Sequence, residues 1–186
     1  MFWLVSAGMI VYSAVAQQVQ LHSASTLWIE GNSTLHAWSA KATQLNVTGN
    51  ASAVGSVLRW KIDSLLLRIP VRGLSSGKRD LDENMWTDLK AARYPEILFR
   101  LKNYRPQEDV ASDSLPISVE GWLTVAGRER LISFPAMWSV TGNRIRVRGS
   151  TELLMTDFGI KPRTFLVVMK VDNRVVVRFD LLFEVR

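Results

Sequence analysis

Alternation with a period of two runs through most of this chain and constrains its fold more than any other feature. The cleanest instance closes the sequence. Val175, Val177, Phe179, Leu181, Phe183 and Val185 fall on one face, and Arg174, Arg178, Asp180, Glu184 and Arg186 fall on the other. Strand side chains point alternately to opposite faces, so such a run buries one face and leaves the other in water. The same period returns in 57–62, where Leu58, Trp60 and Ile62 oppose Arg59 and Lys61, and in 65–69 with Leu65, Leu67 and Ile69. It continues in 97–102, where Ile97, Phe99 and Leu101 oppose Arg100 and Lys102, and in 117–125 with Ile117, Val119, Leu123 and Val125 around Gly121. Val140-Thr141-Gly142-Asn143, Val171-Asp172-Asn173-Arg174 and Ala126-Gly127-Arg128 read as hairpin turns between such runs. About eight to ten consecutive strands without βαβ spacing predict a mainly β chain, either a closed antiparallel barrel or a sandwich.

Two segments depart from the alternation. In 78–93, Leu81, Met85 and Leu89 recur every four residues with Trp86 and Ala92 close to the same face, which predicts one helix. Asp80, Asp82 and Glu83 open it and Lys90 and Arg93 close it, both in the sense that the helix dipole favours. Pro95 prevents its continuation. Residues 156–164 read as a turn or short helix ahead of the last strands.

At the other end, Phe2 to Ala16 is an apolar run of about fifteen residues, short of the roughly 20 that a membrane-spanning helix needs. It ends in Ala14-Val15-Ala16, a small-x-small cleavage signature. The expectation is a signal peptide over 1–16 and a single domain over 17–186, working in the periplasm or outside a bacterial cell. A buried N-terminal strand or helix is the competing reading, since the leader carries no Lys or Arg.

The chemistry that the composition permits is narrow. With no cysteine, the chain has no disulfide, thiolate metal site or cysteine nucleophile. His22 and His36 have no carboxylate at metal-ligand spacing, so no metal site is expected. The cluster of Asp80, Asp82 and Glu83 is better explained by a helix first turn than by paired catalytic carboxylates. A net charge of +6 on 186 residues is modest and does not call for nucleic acid. Arg144, Arg146 and Arg148 read as the solvated face of one strand, with an anionic-surface patch as the sharper alternative. What stands out is the aromatic load, with Trp28, Trp38, Trp60, Trp86, Trp122 and Trp138 all beyond the leader. A barrel of about eight strands is either just filled by side chains or just wide enough for one slender ligand.

Four blocks carry a family resemblance. They are Ser33-Thr34-Leu35-His36-Ala37-Trp38; Lys78 through Met85 with Leu89-Lys90-Ala91 and Tyr94-Pro95-Glu96-Ile97-Leu98-Phe99; Val119 through Gly127; and Thr156-Asp157-Phe158-Gly159-Ile160. In order and spacing, over roughly 23–186, they resemble the YceI-like family of bacterial polyisoprenoid-binding, lipocalin-like proteins. Two positions depart from it. Ala37 stands where relatives often carry a polar residue, and Ala126-Gly127-Arg128 stands where many have a His-Gly step.

The resemblance implies an elongated lipocalin-like antiparallel barrel with a helix beside it. It further implies an apolar tunnel that holds an isoprenoid or similar long-chain lipid, with no catalysis and no cofactor. Parity then places Trp60, Leu67, Phe99, Leu101, Leu123, Phe179 and Leu181 along the tunnel, with Met85 and Trp86 of the helix at one end. Each buried CH₂ contributes roughly 0.8 kcal/mol against an association cost of about 4–15 kcal/mol, so the ligand must be long and enclosed. Strands of about ten residues at about 3.3 Å each give a barrel roughly 30 Å tall, enough for an extended chain of some twenty carbons. The roles this predicts are transport, storage or sequestration, with transient membrane contact and, through exposed strand edges, a homodimer. A ligand-free envelope or stress-related interaction domain with a filled core is the alternative. A lipid-modifying enzyme is the third and least supported reading.

Overall fold

The computed structural model describes residues 16–55, 59–107, 114–165 and 169–186. Residues 1–15, on which the expected signal peptide falls, and Leu58 lie outside the described residues. Among those described, twelve strands form: β1 Gln17–Leu21, β2 Thr26–Ser33, β3 Ala37–Ala42, β4 Asn46–Ala53, β5 Trp60–Pro70, β6 Leu74–Ser75, β7 Glu96–Pro106, β8 Leu115–Val125, β9 Arg128–Thr141, β10 Arg144–Leu154, β11 Thr164–Phe165 and β12 Met169–Val185. All pairings are antiparallel. Eight of the strands close a ring in the order β1-β4-β5-β7-β8-β9-β10-β12 and back to β1. The architecture is therefore a barrel and not a sandwich.

Closure depends on a short stretch. Val19, Gln20 and Leu21 pair with Val185, Glu184 and Phe183, while Gln17 and Gln18 pair with Ala51 and Asn50 of β4. The Gln18 and Arg186 backbones exchange hydrogen bonds of 2.8 and 2.9 Å. Further back, the same edge of β12 pairs with β2 from Asp180 to Val171, and β3 and then β6 extend that flap. Short strands can thus finish the ring at one end and fold over the mouth at the other.

Turn chemistry is followed at two of the three predicted hairpins. Ala126 and Gly127 both take positive φ (49° and 79°), the type I′ geometry whose twist matches flanking strands. Gly142 and Asn143 join β9 to β10. The third expectation is overturned. Val171-Asp172-Asn173-Arg174 lies inside β12, where the register against β2 slips between Val171 and Val175. Asn173 is used there as a clip, its amide accepting from Thr156 N–H (3.0 Å) and donating to Thr156 Oγ1 (2.9 Å).

Two further bulges reset which side chains face inward. In β5, Ser64 pairs with Asn50 but Ile62 with Ala51, so Asp63 is an extra residue. In β7, Leu101 pairs with Gly121 but Asn103 with Glu120, so Lys102 is extra. A bulge leaves one residue unpaired and shifts the alternation by one. Ile62 and Leu65 both face the core although their spacing is odd, and Tyr104 turns inward after Leu101.

The helix, α1, spans Arg79–Asp88, and turns carry the chain on to Arg93. Leu89 caps its C-terminus and Lys90 follows with φ 55°. At the other end Asp82, buried, brackets the strand before it. Its carboxylate accepts from Ser75 Oγ (2.8 Å), Ser76 Oγ (2.7 Å) and Ser76 N–H (2.6 Å). Burial pushes this carboxyl up, but the Ser76 hydroxyl, the Ser76 N–H and the Ser75 hydroxyl together hold it below its usual range. A lowered folded value means that the stabilisation is whole above about pH 4 and is lost as pH falls through that value. Thermal melts of wild type and Asp82→Asn should therefore differ most near neutral pH and converge as the solution is acidified below about pH 4.

Gly121 and Gly149 give space to aromatic rings in the barrel wall. A Cβ on Gly121 would lie 2.4 Å from the Phe99 ring and 2.9 Å from the Arg100 carbonyl oxygen; one on Gly149 would lie 2.8 Å from Phe179. Gly121→Ala is expected to cost about 1–3 kcal/mol through overpacking, seen as a lower denaturation midpoint at unchanged slope.

Candidate functional site

The barrel is filled at one end and hollow toward the other. The floor of the hollow is Trp138, 2% exposed, with the Tyr104 ring stacked on it at 5.4 Å and 16°. The Tyr104 hydroxyl accepts a hydrogen bond from Ile62 N–H (2.8 Å), a donor beside the Asp63 bulge. Burial pushes this hydroxyl above its ordinary value, with the Ile62 bond opposing and the Asp63 charge reinforcing the rise. The floor is consequently neutral at physiological pH. Above it, Phe99, Phe134 and Phe179 form an aromatic belt, with centroid distances of 5.8 and 5.5 Å and tilted and edge-to-face geometry.

These walls enclose a cavity of about 330 Å³. Leu67 of β5, Phe99 and Leu101 of β7, Leu123 of β8, and Phe179 and Leu181 of β12 border it, and Met85 faces it from α1. Trp60 and Trp86 stand outside it. Trp60 opens β5 at the filled end, where its Nε1–H donates to Gly142 O (3.0 Å) across the rim. The Trp86 Nε1–H donates to Leu74 O (2.9 Å), and its ring lies under the Arg72 guanidinium at 5.6 Å. That tryptophan fastens the helix to β6.

The mouth carries the polar groups. From α1, Asn84 and Asp88 face the hollow beside Leu81 and Leu89; across from them come Arg163 and Lys161, with His36 from the β2–β3 turn. Arg163 ties the two sides together. Its Nε donates to Asp88 Oδ2 (2.6 Å), its Nη1 to Asn84 Oδ1 (2.6 Å) and its Nη2 to the Asn84 carbonyl (3.2 Å). His22 lies away from the mouth and accepts from Ala24 N–H (3.0 Å). Among the described residues no three His, Cys, Asp or Glu side chains converge as a metal site. Gly73-Leu74-Ser75-Ser76-Gly77 has the spelling of a nucleophile elbow. Ser75 nevertheless spends its hydroxyl on Asp82 and on the N–H of Gly77 (3.2 Å), with no histidine among its partners.

Parity would have found Phe134 and Trp138, since Ile132, Phe134, Ala136 and Trp138 alternate within β9. Tyr104 escapes parity because the Lys102 bulge turns it inward. Nothing local in the sequence announces the link from Arg163 to Asp88 and Asn84. On the outer surface Arg146 and Arg144 pair across strands with Asp180 (2.7 Å) and Glu184 (3.1 Å), as a solvated sheet face does.

A closed eight-stranded barrel around a mainly apolar chamber, floored by aromatics and charged only at its mouth, has the architecture of the small barrels that enclose one ligand. The chain belongs to the YceI-like domain family, whose model matches residues 16–183. Solved structures share the fold at low identity. A polyisoprenoid binding domain from Saccharophagus degradans, implicated in plant cell wall breakdown, is 15% identical over 91% of this chain and 99% of that one (TM-score 0.68). BcnA of Burkholderia cenocepacia is 14% identical over 85% and 95% (TM-score 0.66), and the YceI protein of Campylobacter jejuni is 15% identical over 75% and 83% (TM-score 0.57). No curated protein shows a significant match to the chain.

Replacing Asp88 by Ala should remove the ion pair to Arg163 and loosen α1 from the mouth. The expected cost is about 2 kcal/mol, from charge-assisted bonds in a half-buried setting. Hydrogen exchange should show faster opening of the α1 amides, while the amides of β8 and β9 stay protected.

Proposed function

We propose that this protein holds an isoprenoid or similar long-chain lipid in the barrel chamber, and that it carries or sequesters that lipid outside the cytoplasm. The chamber itself supports this reading most directly. A cavity of about 330 Å³ falls within the roughly 300–1,000 Å³ of ligand sites. Its walls are apolar and aromatic, so a polar or charged body would lose its hydration there without recompense. The Saccharophagus degradans domain, described as polyisoprenoid binding, shares the fold and agrees with this choice of ligand.

Size sets the terms. An apolar cavity of about 150 Å³ holds a benzene, so 330 Å³ takes roughly a dozen carbons. These contribute about 10 kcal/mol by burial, comparable to the cost of association. A firmly held lipid is therefore longer than the chamber, and its remaining length runs past Met85 and Leu89 to the polar mouth. The headgroup then meets Arg163, Asn84, Lys161 and His36, while the tail reaches toward Tyr104 and Trp138. The leader over 1–16 supports a location outside the cytoplasm, since the family match begins at residue 16 and β1 at Gln17.

Native mass spectrometry of protein purified without detergent tests the reading. A reproducible added mass, released by organic solvent, is expected. Phe99→Asp, which sets a carboxylate against the aromatic belt, should abolish the added mass in a protein that still melts cooperatively. A bare mass that stays unchanged after incubation with long isoprenoids and fatty acids would refute lipid holding.

A further inference from the structure

Leu35, at 64% exposure, is the most exposed of the large apolar side chains among the described residues. Leu35 occupies the tip of the β2–β3 turn, and its neighbours Ser33 and His36 border the chamber. The turn is braced. Ser33 Oγ donates to His36 O (2.9 Å) and accepts from His36 N–H (3.2 Å). Thr34 N–H donates to Lys170 O (3.0 Å), and Lys170 N–H donates to Thr34 Oγ1 (3.2 Å). A leucine on so fixed a turn is held out in water and cannot fold back for cover.

Several arginines of the barrel wall are matched by carboxylates on neighbouring strands, as in Arg146 with Asp180, Arg144 with Glu184, Arg178 with Glu30 and Arg174 with Glu152. At the mouth, Lys170 and Lys161 have no carboxylate partner among the described residues. The Arg163 backbone carbonyl accepts from Val171 N–H (3.0 Å), and Val171 stands opposite Ser33, so the cations and the leucine share one neighbourhood. Asp88 is engaged by Arg163, which leaves Asp172 as the free carboxylate on these segments.

We propose that this mouth docks on an anionic phospholipid bilayer. Leu35 enters the boundary between headgroups and acyl chains, and Lys161 and Lys170 contact lipid phosphates. A fixed apolar wedge among unpaired lysines is the chemistry of interfacial binding to anionic membranes. Docked in this way, the chamber opens onto the bilayer, and an apolar cargo passes between them without crossing water. The inference goes beyond lipid holding, because the docking surface does not depend on what fills the chamber.

Co-sedimentation with vesicles of phosphatidylglycerol in phosphatidylcholine, against phosphatidylcholine alone, tests it. Binding is expected to the mixed vesicles and should weaken in high salt as screening sets in. Leu35→Ser should lower the partition about tenfold or more, and Lys161→Ala and Lys170→Ala about fivefold each. Arg105→Ala, which removes the same charge near the filled end, should leave it unchanged. Equal binding to both vesicle types would overturn the proposal. So would equal losses in Arg105→Ala and the lysine variants, or wild-type binding by Leu35→Ser. Native mass spectrometry separates this test from that of lipid holding. Leu35→Ser and Lys170→Ala should keep any cargo mass, and Phe99→Asp should lose cargo while still sedimenting with vesicles.

Discussion

A sheet that closes on itself has no edge to protect, and this barrel gains that property through three residue pairs. Val19, Gln20 and Leu21 against Val185, Glu184 and Phe183 seal the ring. Everything inside follows from the seal, because the chamber is apolar only while water cannot reach it between strands. The same long strand that completes the ring at its C-terminal end supports β2 along the rest of its edge. One strand therefore both closes the filled end and carries the flap that shapes the mouth.

Within that frame the inside is organised by rings and their neighbours. Tyr104 stacks on Trp138 at the floor, and Phe99, Phe134 and Phe179 lean on one another above it. Glycines at 121 and 149 leave the wall thin where two of those rings approach it. The belt narrows the barrel without filling it. The polar groups are kept for the mouth, where Arg163 is satisfied by Asp88 and Asn84.

Much of this was legible in the residues. Alternation in 117–125 and 175–185 puts Leu123, Phe179 and Leu181 on one face, and that face is the inner one because those stretches run unbroken through the ladder. Legibility failed where the ladder slips. The Asp63 and Lys102 bulges shift parity within β5 and β7, and no rule of alternation reports a bulge in advance. Asp172 and Asn173 carry turn chemistry, yet the backbone there continues as strand and gives the side chain of Asn173 to Thr156. Trp60 obeys parity but stands at a strand end, where the ring can reach across the rim to Gly142. The contacts of Arg163 join segments far apart in the chain, so only the assembled barrel displays them.

Closure by the two extremes of the chain has a consequence for how the molecule is made. Hairpins such as β8–β9 and β9–β10 can zip as soon as they exist, because their partners are adjacent in sequence. The ring cannot, since the strand that accepts β1 follows all the other described strands in the chain. Until Phe183–Val185 arrives, the nascent chain is an open, half-greasy sheet with its interior face in water. The chamber therefore comes into being last, when β12 reaches β1 and the two strands pair.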